Sequence, residues 1–141
     1  MLNYKHAVTV IIAVLSAPAI WSQTTIPTGA KIFVAPMNGY ETYIKAAIKK
    51  KKLPVVIVEQ RDSADFELSG AAESQKAGAA KILLTGSWHS TETASIKLTD
   101  IKTSVVAFAY SVNKSNSAHG KQSSAEACAK HLNDAIDHKS K

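Results

Sequence analysis

Past residue 30 the apolar positions change period several times, and each change marks an element. Lys31-Ile32-Phe33-Val34-Ala35-Pro36 is a short apolar run of strand-forming residues. Tyr40, Tyr43, Ile44, Ala47 and Ile48 then recur at spacings of three and four, which puts them on one face of a helix. Asn38 is placed to cap that helix, with Glu41 three residues later to reach back to the cap. Lys49 to Lys52 close it with positive charge, which suits the negative end of the helix dipole. Pro54 forbids continuation by pushing the residue before it out of helical geometry. Val55-Val56-Ile57-Val58 is β-branched without alternation, the pattern of a strand covered on both faces. The opening therefore reads strand, helix, strand, and a right-handed crossover makes the two strands parallel.

After Asp62 the pattern switches to alternation. Ala64 to Gly70, Ala94 to Thr99 and Val105 to Val112 read as strands with one wet face, and Ala80 to Gly86 as a further extended segment. Four strands at short spacing predict an antiparallel meander. A polar loop from Asn113 to Lys121 leads to a last helix, where Ser123 and Glu126 match a capping box. Ala125, Cys128, Ala129, Leu132 and Ile136 form its apolar stripe. The predicted fold class is α/β (α+β). A single mixed sheet of about five to six strands carries two helices on one face, in the order β-α-β-β-β-β-β-α. The opposite face is expected to be partly open, because several strands place Ser, Thr, Lys and Glu at alternate positions.

The first residues follow a different logic. Lys5 precedes an uncharged run from Ala7 to Ile20, and small residues suited to cleavage follow at Ala17-Pro18-Ala19 or Ile20-Trp21-Ser22. A basic start, a short apolar core and a small-residue site make a secretory signal. The run falls short of the roughly 20 residues that span a bilayer, which favours cleavage over a retained anchor. The expected division is a signal at 1–22, a polar linker at 23–30, one domain at 31–138 and a basic tail at 139–141. The mature chain is expected in the periplasm or secreted, with no stable membrane span. With no cysteine near the cleavage region, a lipid-bearing N-terminal cysteine is excluded.

Charge and cysteine usage narrow the classes further. The chain has 141 residues, with 17 Lys+Arg against 11 Asp+Glu, a formal charge of +6. About 119 residues remain after cleavage, enough for one core, and losing Lys5 leaves the charge at +5. A basic surface permits anionic partners. Export favours lipid headgroups and cell-wall polymers over nucleic acid among them. Cys128 is the one cysteine, so no internal disulfide staples the fold and packing must hold it. Cys128 reads as a small buried apolar residue.

No complete catalytic or metal constellation emerges. Cys128 and His131 are three apart on one helix, but a zinc site needs at least three protein ligands, and nothing pairs with these two by recognisable spacing. Cys128 on an apolar stripe lacks the electropositive, accessible setting of a reactive thiol. No Gly-x-Ser-x-Gly elbow is present. Asp65 and Glu67 share the wet face of a strand, a pattern that serves solubility. The most pointed signal is His119-Gly120-Lys121 with Ser123, just before a helix, where backbone N–H groups and one ammonium are able to hold a small anion. It is only a fragment of a phosphate loop, since the upstream glycine is missing and Gln122 replaces the hydroxyl residue. Trp88 and His89 near a strand end form a candidate partner surface, and Asn113-Lys114-Ser115 fits a glycosylation sequon.

The opening strand Ala30 to Pro36, the Ala64-Asp65-Phe66-Glu67-Leu68-Ser69-Gly70 strand, the late Thr103 to Tyr110 strand and the Ala/Leu-rich closing helix together resemble a group of exported bacterial envelope domains. These are the CsgG-type curli-transport domain, the N-terminal domain of TolB, and the lipoprotein activators of penicillin-binding proteins. Ser104 stands where such domains have Gly. The resemblance implies a scaffolding or partner-binding module and carries no catalytic residues across. The sequence thus leads to an exported, non-enzymatic domain without cofactors or metals, whose partner is an envelope protein or a cell-wall polymer. Anion binding at the His119 loop is the alternative.

Overall fold

The structure is a computed structural model that describes residues 24–75, 91–115 and 119–136. Five strands form one mixed sheet: β1 (Lys31–Val34), β2 (Val56–Val58), β3 (Phe66–Gln75), β4 (Thr91–Asp100) and β5 (Val106–Ser115), in the order β2-β1-β3-β4-β5. Two α-helices, α1 (Tyr40–Lys50) and α2 (Gly120–Ala135), and a single 3₁₀ turn at Arg61–Ser63 complete the described elements. β1 runs parallel to both β2 and β3, while β3-β4 and β4-β5 are antiparallel. The architecture and order are those expected from the sequence. The expected strand Ala80–Gly86 lies outside the described residues, as do the expected signal and basic tail.

The core lies on one face of the sheet. Ile32 and Val34 of β1, Phe66 and Leu68 of β3, and Ala94, Ile96 and Leu98 of β4 point toward the helices and are buried. Against them α1 sets Tyr40, Ile44, Ala47 and Ile48, and α2 sets Ala125, Cys128, Ala129 and Leu132. Small residues on α2 let it lie close to the strands. A Cβ on Gly70 would approach the Ser95 carbonyl oxygen to 2.1 Å, so β3 and β4 meet there at a distance that only glycine allows. Near its start β5 slips register: Leu98 faces Phe108 but Thr99 faces Val106, a bulge that leaves Ala107 as the extra residue.

Several sequence expectations are corrected. Residues 24–30, expected as a linker, are built into the fold. Ile26 is buried and bridges Ile136, the Gly29 N–H donates to the Pro54 carbonyl at 2.7 Å, and the Val56 N–H donates to the Ala30 carbonyl at 2.9 Å. β2 is an edge strand, so Val56 is 49% exposed instead of covered on both faces. Tyr43, counted in the stripe of α1, is 42% exposed and tilts against Tyr40. Asn38 does not cap α1. Both Asn38 and Gly39 take positive φ, 53° and 88°, and the Glu41 carboxylate accepts the Met37 and Gly39 N–H groups at 2.8 and 2.9 Å. The reach-back half of the expected box is thus present, acting on two freed N–H groups in place of Asn38. α2 begins at Gly120, three residues before the expected cap Ser123, whose N–H already donates to the His119 carbonyl at 2.9 Å.

Candidate functional site

The His119 loop sits at the end of the sheet where β4 begins. His119 is exposed at the N-terminus of α2 and makes no side-chain capping bond. Gly120 follows because of what lies beneath it: a Cβ there would sit 2.9 Å from Glu92 Cβ and 3.4 Å from its Oε2. Glu92, on β4, is a carboxylate only 4% exposed. A helix N-terminus attracts negative charge, and here the first turn has a carboxylate of the protein itself beside it. Lys121 and Ser123 are half-buried on the same turn. His119, Gly120, Lys121 and Ser123 are therefore brought together by their own helix, with Glu92 as an acidic neighbour that sequence spacing did not reveal. Trp88 and His89 lie outside the described residues.

One turn further along α2 the polar groups turn inward. Ser124 Oγ donates to the Lys121 carbonyl at 3.0 Å and so accepts from the Tyr40 hydroxyl, 3.0 Å away. The same hydroxyl is 4.0 Å from Cys128 Sγ. Burial pushes the Tyr40 hydroxyl pKa far up and the Cys128 thiol pKa up as well, so both stay protonated at neutral pH. This cluster clasps α1 to α2 out of reach of solvent. His131 does not join it: its ring stacks on Tyr110, with centroids 4.1 Å apart, and its Nδ1 is 4.0 Å from Asp134. Among the described residues no three His, Cys, Asp or Glu side chains are grouped to hold a metal ion.

A concave feature of the described surface lies on the other side of the sheet. Arg61, Glu67, Ser69, Lys97, Thr99 and Ser104 line a shallow groove of about 200 Å³. Its floor follows from strand alternation, since Ser69 pairs with Lys97 and Glu67 with Thr99 across β3 and β4. Its rim comes from two turns. A single 3₁₀ turn at Arg61–Ser63 brings Arg61 into an ion pair with Glu67. In the β4-β5 turn, Asp100 Oδ1 accepts the Lys102 and Thr103 N–H groups at 2.9 and 2.8 Å. The Thr103 N–H above all holds the Asp100 carboxyl below its usual range. That turn sets Ser104 at φ 59°, a left-handed position where glycine is usual. Alternation in the sequence marks Glu67, Ser69, Lys97 and Thr99 as sharing a face. No sequence signal brings Arg61 and Ser104 to them.

Outward from the groove no described element covers the sheet. Ser95 and Thr93 on β4 and Ala109, Ser111 and Asn113 on β5 are exposed, a smooth surface of small side chains. The two edges differ in length. β2 offers three residues and β5 ten, so β5 carries the longer row of backbone groups without a strand partner among the described elements. No described helix is long and apolar enough to cross a membrane.

Comparison of folds gives two structures of PelC from Paraburkholderia phytofirmans, both dodecamers. One aligns over 84% of this chain and 95% of its own, with 18% identity and a TM-score of 0.59. The other aligns over 82% and 96%, with 20% identity and a TM-score of 0.57. TolB from Acinetobacter baumannii aligns over 76% of this chain and 27% of its own at 10% identity, with a TM-score of 0.47. No protein-family model and no curated protein matches the sequence. The chain shares the PelC fold.

Proposed function

We propose that this protein is an exported, non-enzymatic domain of the bacterial envelope. Its open sheet face and β5 edge hold an envelope protein, a further copy of this chain included, or a cell-wall polymer. The observation that carries this reading is the contrast across the sheet. Among the described residues two helices pack over one face, while the other leaves small polar side chains, a polar groove and a ten-residue edge strand uncovered. The signal-like N-terminus supports export, and the PelC fold supports assembly, because the PelC structures are dodecamers. The burial of Cys128, the one thiol, supports a role without covalent chemistry.

The test is capture of partners from envelope extract, together with native mass spectrometry of the purified protein. An Ala109→Lys/Ser111→Lys variant puts bulk and charge on the open face without touching the core. The reading predicts that assembly or partner capture is lost in this variant while its thermal midpoint stays within a few degrees of the parent. Retention of every partner and assembly state by a folded variant contradicts it.

A further inference from the structure

One end of the sheet concentrates lysine and exposed valine. The strand pairings place the starts of β1, β2 and β3, the finish of β4 and the start of β5 together at that end. Lys49, Lys50, Lys51 and Lys52 close α1 beside it, Lys31 opens β1, and Lys102 tips the β4-β5 turn. Lys50 bonds Glu126 at 2.7 Å, and Lys51 also acts on that carboxylate, so one negative charge faces two ammonium groups. Asp100 is engaged by backbone N–H groups of its turn, and Asp65 accepts the Lys31 N–H at 3.0 Å. Val56 at one margin of the sheet is 49% exposed, and Val105 and Val106 at the other are 43% and 51% exposed. Four strand spacings separate the margins, about 19 Å, with Lys31 and Lys102 between them.

The chain also joins the fold at this end. The Gly29 to Pro54 and Val56 to Ala30 hydrogen bonds fix residues 29 and 30 beside the segment that follows the lysine run. Cationic side chains around exposed aliphatic ones are the components of an interfacial membrane contact.

We propose that this end of the domain docks on an anionic lipid surface, with Lys49, Lys51, Lys52, Lys31 and Lys102 facing the headgroups and Val56, Val105 and Val106 entering the interface. The contact adjoins the groove, whose rim residue Ser104 stands between Lys102 and Val105, and lies at the opposite end of the sheet from the α2 N-terminus. Each lysine near such a surface is worth about fivefold in affinity, so reversing three lowers binding by on the order of a hundredfold or more.

The experiment is co-flotation of the protein isolated from exporting cells, with phosphatidylcholine vesicles and with vesicles in which about a third of the lipid is phosphatidylglycerol. Phosphatidylglycerol-dependent binding that high salt weakens is expected, as screening by mobile ions requires. The Lys49→Glu/Lys51→Glu/Lys52→Glu variant is expected to lose that binding, and Lys121→Glu at the opposite end to keep it. Equal binding to both vesicle types overturns the proposal, since anionic headgroups would then play no part. Loss in Lys121→Glu with retention in the triple variant overturns it in favour of an anion site at α2. Circular dichroism checks the fold of each variant. The salt dependence of the parent tests the proposal even if the triple variant does not fold.

Discussion

Leu68 and Ser69 are adjacent on β3 and face opposite ways. Leu68 is fully buried under the helices, whereas Ser69 lines the open groove. The same alternation runs along β4, where Ile96 and Leu98 go inward and Lys97 goes outward. The inward residues hold the fold by burial, about 1.5 to 3 kcal/mol for a fully buried side chain of this size. The outward residues contribute little to stability. What they supply is surface, which leaves the two turns free to place Arg61 and Ser104 at the groove rim.

Replacing one residue from each side exposes that division most sharply. Leu68→Ala is expected to cost about 3 kcal/mol through lost burial and the cavity left behind. Ser69→Ala should change stability by less than about 0.5 kcal/mol, as for ordinary surface positions. Urea unfolding of the pair is the measurement, and equal losses would break the comparison. Gly70→Ala is next, since its Cβ is driven onto the Ser95 carbonyl and the strands must separate. A loss of about 1 to 3 kcal/mol is expected in the same assay.

Tyr40→Phe removes the hydroxyl between α1 and α2 but leaves Ser124 its bond to Lys121. The expected loss is about 1 kcal/mol, read from the shift in thermal midpoint. Ser104→Gly carries the opposite sign. Relief of a left-handed serine at φ 59° should stabilise by up to about 1 kcal/mol. It also removes a hydroxyl from the groove rim, so any partner that uses it should bind more weakly to a more stable protein.

The smallest expected effect is acid-dependent. The Met37 N–H above all holds the Glu41 carboxyl below its usual range, and Gly39 N–H adds to this. A folded-state pKa below the unfolded one gives stability that is present above the unfolded value, near 4.3 for Glu, and lost as pH falls through the folded value. Glu41→Gln should therefore flatten the acid limb of a stability-versus-pH curve while leaving the neutral and alkaline limbs parallel to the parent.

Much of this fold was legible in the sequence because period translates directly into burial. The stripe Ala125, Cys128, Ala129, Leu132 and Ile136 is buried throughout, as spacing alone predicts. β2 was misread because a β-branched run looks the same whether its strand is central or at an edge. Which of these it is depends on how many strands lie beyond it. The cap of α1 was misplaced because Asn38 and Gly39 both turn left-handed, and Glu41 then finds two N–H groups by backbone geometry that spacing does not encode. The groove was only half legible. Its floor follows from alternation in β3 and β4, but Arg61 and Ser104 reach it through turns, and turn direction is set by tertiary contacts. At α2, Glu92 lies 28 residues before Gly120 and meets it only through the sheet.

The central claim is that the open face is the working side of this domain, and in-cell photo-crosslinking tests it most directly. A photoreactive residue at Ser111, exposed on the open face, is compared with one at Thr42, exposed on the outer side of α1. The account predicts a discrete crosslinked species from Ser111 and none from Thr42. Crosslinks from Thr42 alone, or from neither position, would contradict it.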